Sequence, residues 1–243
     1  MSCDVYAARR AAMVATQIAV RGVTDPAVLT AMRTVPREAF VRPELAEFAY
    51  DDLPLPIGEG QTISQPYIVA VMTAALRPAP TDRVLEIGTG SGYAAAVLHC
   101  IVKQVYTVER LETLYRLARR RLHRLGYHNV SVHLGNGTLG WPEHAPYDGI
   151  VVTAGGPTIP PALQEQLALG GRLVIPVGAQ PTCQMLVRVT RVSATEFQQK
   201  ELGDVCFVPL IGAQGWADDT AAQRRGKPHA PEAAAPLPAG EIP

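Results

Sequence analysis

The chain holds 243 residues, with 22 basic against 22 acidic side chains and 47% hydrophobic residues. That is one ordinary globular domain with trimmings, and a net charge of zero supplies no broad field for nucleic acid or an anionic membrane surface. The longest apolar run, Ile68 to Leu76, is far short of the ~20 residues that span a bilayer, and Met1-Ser-Cys-Asp opens no secretory signal, so a soluble, cytoplasmic protein is expected.

The segment 1–80 reads as a helical extension followed by a shaped loop. A helix is predicted over Val5 to Val20, with Ala12, Met13, Ala15, Thr16 and Ala19 near one face. Asp25-Pro26 has the pattern of an N-cap followed by proline at the first helical position. The Pro- and Gly-rich stretch from Leu53-Pro-Leu-Pro56 through Ile57-Gly-Glu-Gly-Gln-Thr-Ile-Ser-Gln-Pro66 is predicted to be a loop held in a defined path.

From 81 to 216, short β-branched apolar runs alternate with helical patterns. Strands are predicted at Arg83–Ile87, Gln104–Glu109, Val130–Leu134, Tyr147–Thr153, Arg172–Val177, Met185–Val192 and Val205–Leu210. Helices fall at Ser91–Cys100, Leu111–Leu125 and Pro160–Leu169, the last stopped by Gly170-Gly171. Such winding predicts an α/β fold with a doubly wound, mostly parallel Rossmann-like sheet. Asp148-Gly-Ile-Val-Val-Thr153, continuously apolar after its first residue, suits a central strand covered on both faces. The final strands, with no helix between them, predict an antiparallel finish. Residues 217–243, mostly Ala, Pro, Gly and charges, cannot bury enough surface to offset their ordering entropy and are expected to form a disordered tail.

The chemistry centres on Val84-Leu-Glu-Ile-Gly88-Thr-Gly90-Ser-Gly92-Tyr93, where three glycines at alternate positions meet a predicted strand-to-helix turn. A dinucleotide fingerprint would space its glycines differently and set a pyrophosphate at the helix start. Here the third glycine comes one place early. Glu86, just before the loop, would repel a pyrophosphate but suits a ligand with a cationic amino end, such as S-adenosylmethionine. Glu109 ends the next strand, where a carboxylate can accept both ribose hydroxyls. Gly88, Thr89, Gly90, Gly92, Glu86 and Glu109 are therefore the candidate cofactor residues, and together they resemble the motifs of class I methyltransferases.

A more specific resemblance lies upstream. Asp51-Asp-Leu-Pro-Leu-Pro-Ile-Gly-Glu-Gly-Gln-Thr-Ile-Ser-Gln-Pro-Tyr-Ile-Val-Ala70 closely resembles the signature of protein-L-isoaspartate O-methyltransferases. The likeness runs from Met13 to Trp216, through Val35-Pro-Arg-Glu-Ala-Phe40, Gly140-Trp-Pro, Gly170-Gly-Arg-Leu-Val-Ile-Pro-Val-Gly178 and Phe207-Val-Pro-Leu210. It implies methyl transfer from S-adenosylmethionine to the α-carboxylate of L-isoaspartyl residues in damaged proteins and peptides, with succinimide formation then starting repair. By the same resemblance Ser64 is the catalytic serine and Thr62 supplies a second hydroxyl, Ile57, Gly58, Glu59 and Gly60 contact the cofactor, and Asn136-Gly137 lies beside the adenine. Many relatives have Asp-Gly at that place, so an amide stands where a carboxylate would accept with charge assistance. A carboxylate substrate is already ionised at pH 7, so no general base is needed and catalysis is mainly positioning. Ser64 has no Ser-His-Asp company and would orient rather than attack.

Other features read as structural. Arg116, Arg119, Arg120, Arg121 and Arg124 make a solvated basic helix face. The histidines fit no ligand spacing, and Cys3, Cys100, Cys183 and Cys206 form neither a zinc site nor a disulfide framework, so no metal is expected. Whether Trp141 and Trp216 serve cleft or core stays open. The expected partners are isoaspartyl-containing proteins and peptides, with no nucleic acid, no membrane and a monomeric chain. Two further readings stand beside repair: a dedicated peptide-tailoring aspartate methyltransferase, for which the tail leaves room, and a non-catalytic peptide-binding adaptor, which would have no need of Glu86, Glu109 and the glycines together.

Overall fold

A computed structural model describes residues 3–180 and 183–218. The tail expected to be disordered lies, from 219 onward, outside these residues.

Seven described strands form one sheet in the order β5-β4-β3-β6-β7-β8-β9. They are β3 (Arg83–Ile87), β4 (Gln104–Glu109), β5 (Val130–Leu134), β6 (Tyr147–Val152), β7 (Leu167–Gln180), β8 (Cys183–Arg191) and β9 (Phe197–Val205). The strands β5 through β7 pair in parallel, whereas β7, β8 and β9 pair antiparallel. The chain starts the sheet at β3 in the middle, adds β4 and β5 on one side, then returns to lay β6 on the other. That reversal opens a crevice beyond the carboxyl ends of β3, β4 and β6, where α/β sheets bind ligands.

Helices cover both faces. One apolar core joins the N-terminal α1 (Cys3–Met13) and α2 (Pro26–Thr34) with α3 (Pro66–Leu76), α4 (Tyr93–His99) and the Leu122 side of α5 (Glu112–Arg124). The other lies beneath α6 (Pro161–Glu165) and includes Leu85, Ile150, Leu163, Leu173 and Val189. Asp25 caps α2 as expected, its carboxylate accepting from the Ala27 and Val28 N–H groups, with Pro26 at the first turn. Ahead of the sheet, β1 (Leu55–Gly58) and β2 (Gln61–Ile63) form a small antiparallel hairpin. The region read as a shaped loop is therefore partly a ribbon.

Four sequence expectations are corrected. The first helix is regular only to Met13; Val14–Ile18 widens into a π-turn and Ala19–Arg21 tightens into a 3₁₀ turn. Its buried face is Met13, Val14 and Ile18, while Ala12, Ala15 and Thr16 are exposed. The helix placed at Pro160–Leu169 stops at Glu165, because Leu167 already pairs with Tyr147 as the first residue of β7. Gly170 and Gly171 accordingly lie within that strand and stop no helix. The last strand is the polar Phe197–Val205, and Val208–Leu210 instead folds over the end of β6: Gly155 N–H donates to Val208 O and Leu210 N–H donates to Gly155 O, each at 2.8 Å. Lastly, Arg121 is not on the solvated face of α5; it turns inward and donates to Ser91 O at 2.7 Å, holding the glycine loop.

Candidate active site

The turn after β3 carries Gly88, Gly90 and Gly92, all at positive φ. At Gly88 the conformation is obligatory twice over, since a Cβ there would also press onto Thr153 Oγ1. Thr153 in turn donates to Gly88 O at 2.8 Å, so the loop is clamped to the end of β6. Beyond the loop, Gly92 packs against Leu122 of α5.

Two carboxylates stand beneath this loop. Glu109, 5% exposed at the end of β4, accepts from Gly90 N–H at 2.8 Å through Oε2 and from Leu111 N–H at 3.0 Å through Oε1. Each oxygen keeps a second lone pair for a ligand. Glu86 is fully buried, and its Oε2 accepts from Thr107 at 2.6 Å while Oε1 has no partner. Burial above all, with Glu109 nearby, pushes the Glu86 carboxyl up to about 8. Thr107 also bonds Thr89 at 2.7 Å, so a chain of hydroxyls links Glu86 to the loop. An orphaned carboxyl oxygen in the wall of a cavity is a receptor for a cation, and it suits the ammonium of S-adenosylmethionine.

Three spaces meet here. A cleft is lined by Gln61 and Thr62 from the hairpin, by Gly88, Gly90 and Glu109, and by Ile87, Gly137 and Leu210, an apolar set fit for a flat ring. A small cavity beside it is lined by Thr62, Ser64, Glu86, Gly88 and Thr153. An open groove of about 790 Å³ continues outward past Thr62, Ser64, Gln65 and Ile68 to the segment Asp204–Pro209. Ser64 lines both the Glu86 cavity and the groove, so it stands at their junction.

The expected residues do not all converge. Thr62, Ser64, Glu86, Gly88, Thr89, Gly90, Glu109 and Gly137 line the cleft or its cavity. Gly92 supports the loop from behind. Ile57 packs toward Gly90, 3.3 Å from where its Cβ would be, whereas Glu59 and Gly60 form the exposed tip of the hairpin. Asn136 caps a 3₁₀ turn: its Oδ1 accepts from Thr138 N–H at 3.1 Å and from the Thr138 hydroxyl at 2.8 Å. That oxygen is engaged within the fold and the side chain does not line the cleft.

Residues to which the sequence gives no role in the site include Gln61, Thr107, Thr153 and Arg121. Only Thr107 carried a usable signal, two residues before Glu109 on a strand beside Glu86. The aromatic question also closes. Trp141 stacks on His133 with ring centres 4.6 Å apart, on the face of the sheet opposite α3, while Trp216 donates to Gly155 O at 2.9 Å and pins the segment that roofs the cleft. No helix among the described residues is long and apolar enough to cross a membrane.

Comparison with known proteins agrees with this layout. The family model for protein-L-isoaspartate(D-aspartate) O-methyltransferase matches residues 8–215. Protein-L-isoaspartate O-methyltransferase 2 of Pelobacter propionicus is 64% identical over 208 residues, covering 86% of this chain and 92% of that relative. A Rhodopseudomonas palustris homologue is 56% identical over 223 residues, covering 92% of this chain and 91% of its own. A solved protein-L-isoaspartate O-methyltransferase superposes with a TM-score of 0.76 at 30% identity, over 85% of this chain and 67% of its own. A Plasmodium falciparum β-aspartate methyltransferase structure in complex with S-adenosyl-L-homocysteine gives 0.72 at 25% identity, over 83% of this chain and 98% of its own. The cofactor of such enzymes is S-adenosylmethionine, and the chain belongs to the protein-L-isoaspartate (D-aspartate) O-methyltransferase family.

Proposed function

We propose that this chain methylates the α-carboxylate of L-isoaspartyl residues in proteins and peptides, and that the ester then closes to a succinimide that starts repair. The observation that carries the reading is the position of Ser64, shared between the Glu86 cavity and the outer groove. A cofactor in the cleft and a peptide in the groove would meet there.

The roles follow from the contacts. Glu86 Oε1 would receive the ammonium of the cofactor, and Glu109 would receive the ribose hydroxyls on the lone pairs left by Gly90 and Leu111. The apolar walls at Ile87, Gly137 and Leu210 would take the adenine. When bound, S-adenosylmethionine supplies a methyl group on a cationic sulfur. The Thr62 and Ser64 hydroxyls donate to the incoming carboxylate and aim one of its oxygens, while the hairpin and the Val208–Ile211 segment exclude water. Since the nucleophile arrives ionised, no protein group has to remove a proton.

The chain is further proposed to act as a monomer, in the cytoplasm, without nucleic acid or membrane, with 81–216 as the catalytic core and 1–80 as its substrate and cofactor extension. Methyl transfer to two peptides that differ only in aspartyl or isoaspartyl linkage tests the central reading. Transfer confined to the isoaspartyl peptide is expected, and equal transfer to both would defeat the assignment.

A further inference from the structure

The groove outside Ser64 is walled by the start of β8 and by the stretch that follows β9. These strands pair antiparallel, with Leu186 opposite Gly203, Met185 opposite Asp204 and Gln184 opposite Val205. The ladder ends there, and Cys183 and Cys206 are the next residues outward on the two segments. The two segments stay together at that point: Phe207 N–H donates to Gln184 Oε1 at 2.8 Å and Gln184 Nε2 donates to Phe207 O at 3.4 Å. Both cysteines are exposed, both carry free thiols, and both line the groove.

The Cα atoms of the last ladder pair, Gln184 and Val205, are roughly 4.5 or 5.5 Å apart as in any antiparallel pair, and Cys183 and Cys206 follow it by one residue on each segment. A disulfide spans Cα separations of roughly 4.4–6.8 Å, so a bridge asks the two segments to stay about as close as the pair that precedes them. Neither residue lines the cofactor cleft. Cys100 lies elsewhere, just past the end of α4.

We propose that Cys183 and Cys206 form a redox-active dithiol that closes to an intrachain disulfide in the wall of the groove and hinders peptide access while leaving the cofactor cleft intact. The oxidant is a small disulfide of the glutathione class. One cysteine thiolate attacks the oxidant, forming a mixed disulfide and releasing one thiolate. The second cysteine thiolate attacks the protein sulfur of that mixed disulfide and expels the other small thiol. One protein S–S bond forms, the S–S bond of the oxidant breaks, and two electrons and two protons pass from the protein thiols to the two released thiols. The effect on peptide access rests on the groove being where the isoaspartyl peptide binds.

Incubation of the full chain with oxidised glutathione, followed by acid quench, alkylation and peptide mapping, tests the bond. The expected product has lost two hydrogens, yields a Cys183–Cys206 cross-linked peptide, and returns to the starting mass with dithiothreitol. It should show a severalfold higher KM for an isoaspartyl peptide, with unchanged affinity for S-adenosylhomocysteine. C183S and C206S should each stop at a glutathionyl adduct on the remaining member of the pair. Two separate glutathionyl adducts on the wild-type pair, or a bond between two chains, would overturn the proposal. A cross-link that leaves KM unchanged would overturn its control of peptide access. The cross-link mass needs no turnover, so failure of the methyltransferase reading, seen as absent transfer by the reduced protein, is read separately.

Discussion

Replacing Glu86 by Gln preserves shape and the bond from Thr107 but removes a carboxyl whose ionised form burial disfavours. With its carboxyl raised to about 8 by burial, the folded chain without cofactor holds a proton on Glu86 that the unfolded chain has lost, across the window from about 4.5 to 8. Stability from this group is therefore intact below pH 4.5 and declines as pH rises through that window, by on the order of 5 kcal/mol once pH 9 is reached. Wild-type Tm should fall more steeply between pH 6 and pH 9 than that of Glu86→Gln. Cofactor binding should reverse the ranking: an ammonium on Oε1 favours the ionised form, so wild-type binding of S-adenosylhomocysteine at pH 7 should release close to one proton. The variant should release none and bind about tenfold to a hundredfold more weakly, the range of one charged hydrogen bond. Calorimetry in buffers of different ionisation enthalpy reads both quantities. Undiminished affinity with no proton release in the wild type would refute the placement of the cationic end.

Glu109→Ala should weaken S-adenosylhomocysteine by roughly 2–4 kcal/mol, since it loses the ribose acceptor and frees Gly90 N–H; affinity equal to wild type in calorimetry would put the ribose elsewhere. Ser64→Ala should lower kcat on an isoaspartyl peptide while leaving cofactor affinity in place, and equal turnover would dismiss Ser64 from the chemistry. Asn136→Ala should cost about 1 kcal/mol in urea unfolding through its lost cap, with little change in cofactor affinity; a large loss of affinity and no loss of stability would return Asn136 to the adenine.

The parallel half of the sheet is legible because its strands are short β-branched runs set between helical patterns, and Arg83–Ile87 through Tyr147–Val152 fall within a residue of expectation. The antiparallel end was less so. Phe-Gln-Gln-Lys-Glu-Leu-Gly-Asp-Val205 carries almost no apolar alternation because β9 is a sheet edge with most side chains in solvent. The more apolar Val205–Leu210 attracted the assignment, although Pro209 has no N–H for a ladder and the segment serves as the cleft's roof. The first helix misleads because the small residues Ala12, Ala15, Thr16 and Ala19 share one face, whereas the side that packs is the one carrying the bulkier Met13, Val14 and Ile18.

At the site, Glu86, Glu109 and the glycines could be read from spacing, because strand ends place residues predictably at the crevice. Thr153 and Arg121 could not, since each acts through a contact made across elements distant in sequence. Likeness alone places Asn136 beside the adenine, and its cap contact with Thr138 depends on a turn that the sequence does not disclose.

Repeated turnover on a single isoaspartyl peptide, with S-adenosylmethionine replenished and the products separated by chromatography, tests the repair account most directly. The account predicts a falling isoaspartyl pool, a transient succinimide and steady accumulation of the aspartyl peptide. Succinimide formed from the aspartyl peptide while the isoaspartyl form persists would contradict it.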